Sequence, residues 1–427
     1  MAQNKKPQIR FKGFADDWEQ RKLGKVLVYL QNNTLSRAEL STDQGVYENI
    51  HYGDILVIYG SVLDVSKEKL PTIIDGSIVM KYKSSFLQNG DIIIADTAED
   101  ETVGKCTEIN GLKNQVVLSG LHTIPYRPLF KFASGYLGYY MNSNAYHDQL
   151  LPLMQGIKVT SISKSAMQNT NIIYPKSLDE QNKIGECFNN LDRLITLNQC
   201  KIDKLVNIKK TLLEKMFPKD NDKVPEMRFK GFTDDWGERK LDDFGKATGG
   251  ISIESEFSED GTYKVISIGS YSETSRYNDQ GIRCKLSNRT KDRILNKDNI
   301  TMILNDKTSS GNIIGRVLLI EKSGLYVYNQ RTERIEINKE KYDPLFIYQL
   351  LNAPNIRQKI IKESQGNTQI YVNWTRIKEL TYNVPNIEEQ RKIGKYFNNI
   401  DKLIKLHQYK LEKIKKIKKS LQRKMFV

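Results

Sequence analysis

The chain contains the stretch RFKGFADDW at residues 10–18 and repeats it as RFKGFTDDW at residues 228–236. In both places an Arg-Lys-Leu run follows shortly afterwards, ending at Leu23 in the first copy and at Leu241 in the second. Agreement of this length at two distant positions of one chain indicates an internal duplication. The fold can therefore be worked out for one half and then applied to the other.

A second pair of matching stretches closes each half. QNKIGECFNN at 181–190 corresponds to QRKIGKYFNN at 390–399, and both halves end in Lys-Met-Phe, at 215–217 and at 424–426. All these matches occur in the same order. We therefore predict two similar halves joined by a short polar linker at 218–224.

The closing stretch of each half predicts a long helix. Its apolar residues recur at alternating steps of four and three, which places them along one seam of a helix, as in a coiled coil. A helix of about 37 residues is roughly 55 Å long. Either seam alone would be exposed to water, so we expect the two helices to cover each other. The predicted seam residues are Ile184, Phe188, Leu191, Ile195, Ile202, Leu205 and Leu212 in the first helix, and Ile393, Phe397, Ile400, Ile404, Leu411, Ile414 and Leu421 in the second.

Polar residues interrupt both seams at equivalent positions, Asn198 and His407. A buried polar side chain at such a position can set the register of a coiled coil. Alternatively, the seam is locally splayed there and the side chain is solvated. Both interpretations remain open from the sequence.

The connection between the halves predicts the direction of the helices. The second RFKGF stretch begins within about ten residues of the end of the first helix, which is a short connection. The domain that it opens also precedes the start of the second helix. We therefore expect the helices to run antiparallel, with the two domains at opposite ends, an approximate two-fold relation, and Val427 returning near the first domain.

The regions between the matching stretches differ between the halves. Short β-branched and aromatic runs at 55–59, 116–118 and 317–320, separated by Gly, Asn and Asp, favour strands. Helical pieces fit at 135–151 and 344–361. The predicted fold class is α+β, with two mixed α/β domains separated by an antiparallel coiled coil. The predicted boundaries are 1–178 for the first domain, 179–217 for its helix, 218–224 for the linker, 225–386 for the second domain and 387–427 for its helix.

The composition indicates a polyanionic partner. The chain carries 66 basic and 51 acidic residues, a formal net charge of +15. Lys and Arg gain free energy by neutralising phosphates and releasing their counterions, although part of this charge can simply solvate exposed helices. No apolar run approaches the roughly 20 residues that span a bilayer. The four scattered cysteines, without a secretory signal, favour free thiols in the cytoplasm.

The sequence lacks the motifs of the enzymes that act on DNA. There is no phosphate-cradling Gly-x-x-x-x-Gly-Lys-Ser/Thr loop, and no Asn-Pro-Pro-aromatic motif of an amino-methyltransferase. The acidic run 96–101 is better interpreted as solvated loop charge than as a nuclease metal site. Isolated histidines at His51, His122, His147 and His407 favour ordinary structural roles over zinc binding. We predict no catalytic residue, no metal site and no cofactor.

These paired motifs resemble one family, the specificity subunit of Type I restriction-modification systems. The resemblance is carried by both Arg-Phe-Lys-Gly-Phe…Trp stretches. It is carried also by the helices that run from Pro175 through Glu180 and Gln181 to Asp192, and from Pro385 through Glu389 and Gln390 to Asp401. It covers essentially the whole chain, in the family's order. The second variable region is shorter by roughly ten residues.

The resemblance implies a function and a set of partners. It implies two target recognition domains, each reading one half of a split double-stranded DNA site, held apart by a helical ruler. It also implies two methyltransferase subunits that dock mainly on the helices, restriction and translocase subunits that join them, and no catalytic centre in the chain itself.

Candidate DNA-contacting residues are polar, basic or aromatic and lie in the variable regions. Lys158 and Gln369 carry the most weight because each follows a Gln-Gly pair that both halves retain. For each residue alone, an ordinary surface role is the competing interpretation. The candidates are Lys81, Lys83, Lys105, Arg127, Lys158, Thr160 and Ser161 in the first half, and Arg283, Lys285, Arg289, Lys307, Arg316, Arg331, Arg334, Gln369, Tyr371 and Asn373 in the second.

Two other functions compete with DNA recognition. One is a nuclease or methyltransferase fused to a coiled coil, against which the missing motifs argue. The other is a coiled-coil structural adaptor that never reads DNA. Two divergent domains on one repeated scaffold favour a reader, because an adaptor has no need for variable domains.

Overall fold

The computed structural model describes residues 6–219 and 222–427, so the predicted linker lies partly outside the described residues. The chain forms two compact units. Unit 1 comprises Met1–Gln199 with Tyr409–Val427, and unit 2 comprises Cys200–Gln408. Each long helix thus contributes one part to each unit.

Unit 1 is built around a five-stranded sheet with the order β2-β11-β7-β9-β5, beside a four-stranded sheet with the order β10-β4-β6-β3. Two short antiparallel pairs, β1 with β13 and β8 with β12, complete it. Its strands are β1 Glu19–Lys22, β2 Leu27–Tyr29, β3 Leu40–Ser41, β4 Glu48–Ile50, β5 Val62–Asp64, β6 Thr72–Ile73, β7 Ile92–Ala95, β8 Thr97–Ala98, β9 Cys106–Asn110, β10 Val117–Ser119, β11 Thr123–Pro128, β12 Thr160–Ser161 and β13 Asn171–Tyr174.

Strand β7 lies at the centre of unit 1. Successive side chains of a strand point to opposite faces. Accordingly Ile92 and Ile94 join one hydrophobic cluster, whereas Ile93 and Ala95 join another. This run of four buried residues therefore holds two cores together.

Unit 2 has a four-stranded sheet with the order β15-β22-β18-β20 and a three-stranded sheet with the order β17-β16-β21. The short pairs recur as β14 with β24 and β19 with β23. Its strands are β14 Gly237–Lys240, β15 Gly245–Gly249, β16 Tyr263–Ile266, β17 Arg283–Cys284, β18 Asn299–Ile303, β19 Asn305–Asp306, β20 Val317–Leu319, β21 Tyr326–Tyr328, β22 Thr332–Ile337, β23 Ile370–Tyr371 and β24 Thr381–Val384.

Short helices accompany the sheets, and two are very long. The helices are α1 Tyr52–Val57, α2 Tyr136–Met141, α3 Asn144–His147, α4 Lys164–Gln168, α5 Leu178–Lys215, α6 Pro344–Asn352, α7 Pro354–Lys362, α8 Trp374–Ile377 and α9 Ile387–Met425. Within residues 6–219 and 222–427, none combines the length and the apolar character needed to cross a membrane.

Some local predictions need correction. The run 55–59, interpreted as strand, lies partly in α1, because His51 Nδ1 accepts the Gly53 N–H and starts a helix; a short apolar run does not by itself distinguish helix from strand. The piece 344–361 is divided between α6 and α7 at Pro354, which lacks an N–H and keeps Ala353 extended. The piece 135–151 is likewise divided, between α2 and α3.

The long helices pair antiparallel within each unit. In unit 1 the Phe188 ring stacks on Phe426 at a centroid distance of 5.3 Å, and Lys418 bonds to Asp192. In unit 2 the matching contacts recur: Phe217 stacks on Phe397 at 6.0 Å, and Lys209 Nζ lies 2.8 Å from Asp401. In both units the residue number rises along one helix while it falls along the other. The predicted antiparallel coiled coil is confirmed.

The predicted seam lies on the covered face of these helices. Each of its fourteen members is buried or half-buried. Asn198 is also buried, and its Nδ2 donates to the carbonyl of Leu194 at 2.8 Å. His407 is half-buried. These residues therefore lie on the faces of the two helices that are turned away from solvent.

The RFKGF stretch ties each domain to its helices. Arg10 forms a two-pronged ion pair with Glu180, at 2.6 and 2.8 Å, and Arg228 forms the same pair with Glu389, at 2.7 and 2.8 Å. Both carboxylates are almost fully buried. In unit 1 the N–H of Ile9 also donates to Lys424 near the chain end. The expected return of the C-terminus to the first domain is confirmed.

Candidate nucleic-acid interface

Each unit presents a short hairpin with an exposed tip, which we call hairpin 1 (residues 155–161) and hairpin 2 (residues 365–371). Gln155 and Ser161 exchange both backbone hydrogen bonds, at 2.9 and 2.8 Å. Gln365 and Tyr371 do the same, both at 2.9 Å. The two hairpins are therefore closed by the same backbone hydrogen bonds, although Ser161 and Tyr371 differ and so do the tips.

A glycine is required at the second position of both hairpins. Gly156 has a φ of +111°, and an added Cβ would lie 2.0 Å from the carbonyl oxygen of Val159. Gly366 has a φ of +103°, with the corresponding clash at 2.2 Å from Gln369. Only glycine accommodates both the backbone angle and the close approach. This explains why both halves retain the glycine of the Gln-Gly pair.

The base of each hairpin is held by the sheet. Strand β12 pairs with β8 in unit 1, and β23 pairs with β19 in unit 2. The residue after each hairpin donates to the residue after the central strand, Ile162 to Asp96 and Val372 to Leu304, both at 2.9 Å. A fixed base with an exposed tip can place side chains accurately against a ligand surface.

Several predicted contact residues lie on these hairpins or beside them. Lys158 and Gln369 are exposed at the tips. Ile157 is fully exposed there, and Val159 is 54% exposed, so the tip of hairpin 1 also offers apolar surface. The other candidates in this group are Thr160, half-buried, Ser161, exposed, Tyr371, 43% exposed, Lys307, exposed after β19, and Arg331, exposed before β22; Asn373 follows hairpin 2 and caps α8.

Two equivalent candidates, Lys105 and Arg316, are half-buried. Lys105 Nζ donates to the Leu56 carbonyl at 2.8 Å, and Arg316 donates to Asn312 at 2.6 Å. Burial lowers the pKa of both side chains. Each follows a glycine, Gly104 or Gly315, whose added Cβ would clash with a packed Leu or Ile side chain. The Lys105 contact ties its loop to α1, and the Arg316 contact lies within the loop that precedes β20.

Other candidates also have protein partners. Arg127 forms a two-pronged ion pair with buried Asp91, at 2.9 and 2.7 Å, and also donates to Phe86. Arg334 donates to Thr248, and its guanidinium lies 5.8 Å from the Tyr328 ring centroid. These two arginines therefore support their domains through contacts with the sheets.

The remaining candidates lie on other parts of the surface. Lys81 and Lys83 are exposed on the 3-10 helix Gly76–Ser85. Arg283 and Lys285 lie at and after β17 and form ion pairs with Asp279 and Asp260. Arg289 donates to the carbonyl of Ser252. The structure thus groups part of the predicted set at the hairpins and distributes the rest.

Among the described residues, no three His, Cys, Asp or Glu side chains are grouped so as to hold a metal ion. In the acidic run 96–101, Asp100 accepts from the backbone N–H of Thr102 at 2.9 Å. A hydrogen bond from the Thr102 hydroxyl, and after it this backbone one, lowers the pKa of Asp100. The four cysteines are free thiols.

The long helices carry a second apolar feature on their exposed faces, which we call the outer patches. In unit 1 the patch comprises Leu194, Leu197, Tyr409 and Ile417, and in unit 2 it comprises Leu403, Leu406, Cys200 and Ile208. The members correspond one to one in the repeat, in the order given. The apolar side chains among them are 39–67% exposed. In unit 2 a groove of about 760 Å³ lies beside Cys200 and Ile208.

Sequence comparison identifies the family. The model of the Type I restriction modification DNA specificity domain matches residues 15–207 and again residues 233–416. The chain is 25% identical over 277 residues to the Type I restriction enzyme MjaVIII specificity subunit of Methanocaldococcus jannaschii, which covers 62% of this chain and about 64% of that relative. It is 23% identical over 421 residues to the MjaX specificity subunit assigned to a type I restriction enzyme of the same organism, covering 95% and 92%.

The fold agrees with this assignment. The S subunit of a Type I restriction-modification system from M. genitalium aligns with a TM-score of 0.64 at 13% identity, over 99% of both chains. A chain from a structure of a type I R-M system aligns with a TM-score of 0.51 at 13% identity, over 96% of this chain and 97% of that one. The twice-matched domain, covering most of the chain, shows that this protein belongs to the Type I restriction-modification DNA specificity family.

Proposed function

We propose that the chain is the DNA sequence-recognition subunit of a Type I restriction-modification complex, in which each domain reads one half of a bipartite target. The observation that carries this proposal is the pair of equivalent hairpins with unlike tips. The backbone is repeated, whereas residues 157–159 read Ile-Lys-Val and residues 367–369 read Asn-Thr-Gln. A repeated backbone with different side chains is what two readers of different half-sites require.

The chemistry of the tips suits the edges of bases in the major groove. The Lys158 ammonium can donate to the N7 and O6 acceptors of guanine, and the Gln369 amide can pair with adenine through two hydrogen bonds. The exposed Ile157 offers apolar contact to a thymine methyl group. Basic residues elsewhere on the domains would contact phosphates, which position a protein without specifying sequence.

The outer patches are the basis for proposing a protein partner for each unit. Large side chains that remain exposed at equivalent positions suggest a surface that is covered in the working complex. Because both units repeat the same patch, the same partner would bind twice. We infer that two methyltransferase subunits dock there, each through an apolar helix face, and that restriction and translocase subunits join this assembly. The complex would act on DNA in the cytoplasm.

Mapping methylated adenines tests the proposal. The chain is co-expressed with the methyltransferase subunit of its own system, and methylated positions are mapped across the host DNA. We expect two short specific sequences separated by an unread gap of fixed length. A single continuous target, or methylation without sequence preference, would contradict the proposal. Binding of the complex to DNA is measured as well. If that binding did not weaken with rising salt, the result would instead indicate a structural adaptor.

The long helices would set the gap between the half-sites. Inserting one heptad into each lengthens both by about 10.5 Å, which corresponds to roughly three base pairs. We expect the preferred gap to grow by about that number, measured by methylation of synthetic targets with gaps of increasing length. A functional variant that keeps the original gap would exclude the ruler.

A further inference from the structure

Two residues next to the hairpins have an unusual backbone conformation. Among the described residues, four non-glycine residues have positive φ angles: His122 at 55°, Ser275 at 58°, Asp298 at 68° and Arg331 at 68°. Such angles are uncommon for residues with a Cβ. His122 and Arg331 occupy the same place in the two units, since each directly precedes the long strand that pairs with the central one, β11 or β22.

The two residues are connected to the hairpins in the same way. The carbonyl of His122 accepts from Asp96 N–H at 3.1 Å, and that of Arg331 accepts from Leu304 N–H at 2.9 Å. Asp96 and Leu304 are the residues whose carbonyls hold the end of hairpin 1 and hairpin 2. A single residue, Asp96 or Leu304, therefore connects each positive-φ residue to the end of its hairpin through backbone hydrogen bonds.

The side chains are exposed and oriented by equivalent neighbours. His122 Nδ1 lies 3.3 Å from Asp96 Oδ1 and 3.4 Å from Thr97 Oγ1, and the ring meets Tyr52 edge-on at 5.2 Å. In the amide orientation that satisfies both partners, Asn305 accepts from Arg331 Nη1 at 2.9 Å. Thr97 and Asn305 are the first residues of β8 and β19, so the same position orients both side chains.

A glycine at either position would adopt this conformation without steric cost. The two halves have diverged around it, yet each places a large hydrogen-bonding side chain there. Strained positions of this kind are found at ligand contacts, where the side chain is needed in that direction. His122 and Arg331 differ in the groups that they offer, as the readers of two different half-sites should.

We propose that His122 and Arg331 are equivalent base-reading residues, one for each half of the target, acting beside the hairpin tips. This inference rests on the proposed function. The Arg331 guanidinium matches the paired N7 and O6 acceptors of guanine. His122, with Nδ1 engaged by Asp96, presents Nε2 to one base-edge group. Each residue specifies a base in its own half-site.

Glycine variants test this without straining the fold, because glycine tolerates positive φ. His122→Gly and Arg331→Gly are each co-expressed with the methyltransferase subunit, and methylated sites are mapped. We expect each variant to lose discrimination by roughly 10-fold at a position of one half-site, with the other half unchanged. Asp298→Gly is the matched control, because Asp298 also has a positive φ but its side chain is ion-paired with Lys339. The target preference of this variant should stay the same.

The outcomes separate this inference from the function on which it rests. If the wild-type complex methylates a bipartite target and both variants keep its full specificity, the base-reading assignment is overturned while the function stands. A uniform loss on all sequences would also overturn it, because that result indicates phosphate contact. A wild-type complex without sequence preference would overturn the proposed function itself.

Discussion

The two units agree in their frameworks and differ at their hairpin tips. The buried pair of Arg10 with Glu180 recurs as Arg228 with Glu389, at nearly the same distances. The hairpins, by contrast, retain in sequence only the Gln-Gly pair, together with the backbone pairing that closes them. The difference teaches where the fold constrains sequence: buried charge and close backbone approach fix residues, whereas exposed tips are free to diverge. A protein that changes its target can therefore do so without rebuilding its scaffold.

The strongest test of a shared framework is removal of the arginine of its buried ion pair. Arg228→Ala leaves Glu389 buried and unpaired, which should destabilise the fold by about 3–5 kcal/mol. Arg10→Ala should cost a similar amount. Urea unfolding of the purified chain measures both. Lys405→Ala is the control, since its ion pair with Glu321 is exposed and contributes less than about 1 kcal/mol. Unequal losses at the two arginines would mean that the frameworks are not energetically equivalent.

A buried glutamate distinguishes the units. Glu108 in β9 accepts the N–H groups of Gly135 and Gly138 at the start of α2, and burial raises the pKa of Glu108 to about 7. In unit 2 the corresponding strand β20 places Leu319 there. Because the pKa of Glu108 is higher in the folded chain than in the unfolded chain, protonated Glu108 stabilises the fold. This stabilisation is complete below about pH 4.5 and is lost as the pH rises through about 7.

We therefore expect stability to fall by roughly 3 kcal/mol over this range through Glu108. Glu108→Gln should remove that part of the slope, measured by urea unfolding at several pH values between 4.5 and 8. Burial also raises the pKa of Glu333 in unit 2 to about 7, so Glu333→Gln is the parallel variant, which should remove a separate part. If the pH dependence of the unfolding free energy were unchanged in Glu108→Gln, the Glu108 carboxylate of the wild-type chain would already be ionised at low pH in the folded state.

The unlike tips predict independent effects on the target. Lys158→Ala should lower discrimination at one position of the first half-site, and Gln369→Ala at one position of the second, each by about 1–3 kcal/mol. Competition between cognate and altered duplexes, with the chain bound to its methyltransferase partner, measures both. Lys25→Ala, another exposed lysine of unit 1, serves as the control. Relaxation of both half-sites by one substitution would argue against separate reading.

The smallest effect on stability is expected at the outer patches. Leu194→Lys and Leu403→Lys replace exposed side chains, so unfolding free energies should change by no more than about 0.5 kcal/mol. Binding of the methyltransferase subunit should nevertheless weaken, because a charge enters an apolar contact. Co-purification of the subunits reports this, with Thr196→Lys on the same helix as the control. Full assembly of both leucine variants would place the partner elsewhere.

Much of the framework could be predicted because its signals are periodic or repeated. The seam followed from steps of three and four, and the antiparallel direction followed from the short connection. The interface was harder to predict from composition. Arg127 is as basic as Lys158 in the sequence, but Asp91 occupies it in the folded chain, and a partner 36 residues away leaves no local signal. The DNA contacts and the domain boundaries at 178 and 386 stay predictions.

The sequence by itself determined the duplication, the long helices with their buried seam, and the family, because periodicity and repetition are local properties that can be counted along a chain. Only the tertiary structure decided that residues 55–57 are helical, that Gln-Gly closes a hairpin, and that His122 and Arg331 stand at equivalent places beside the tips. The first two features are local, but they depend on hydrogen-bond geometry and steric limits that residue types alone do not specify. The third depends on hydrogen bonds between residues far apart in the chain, Asp96 with His122 and Leu304 with Arg331.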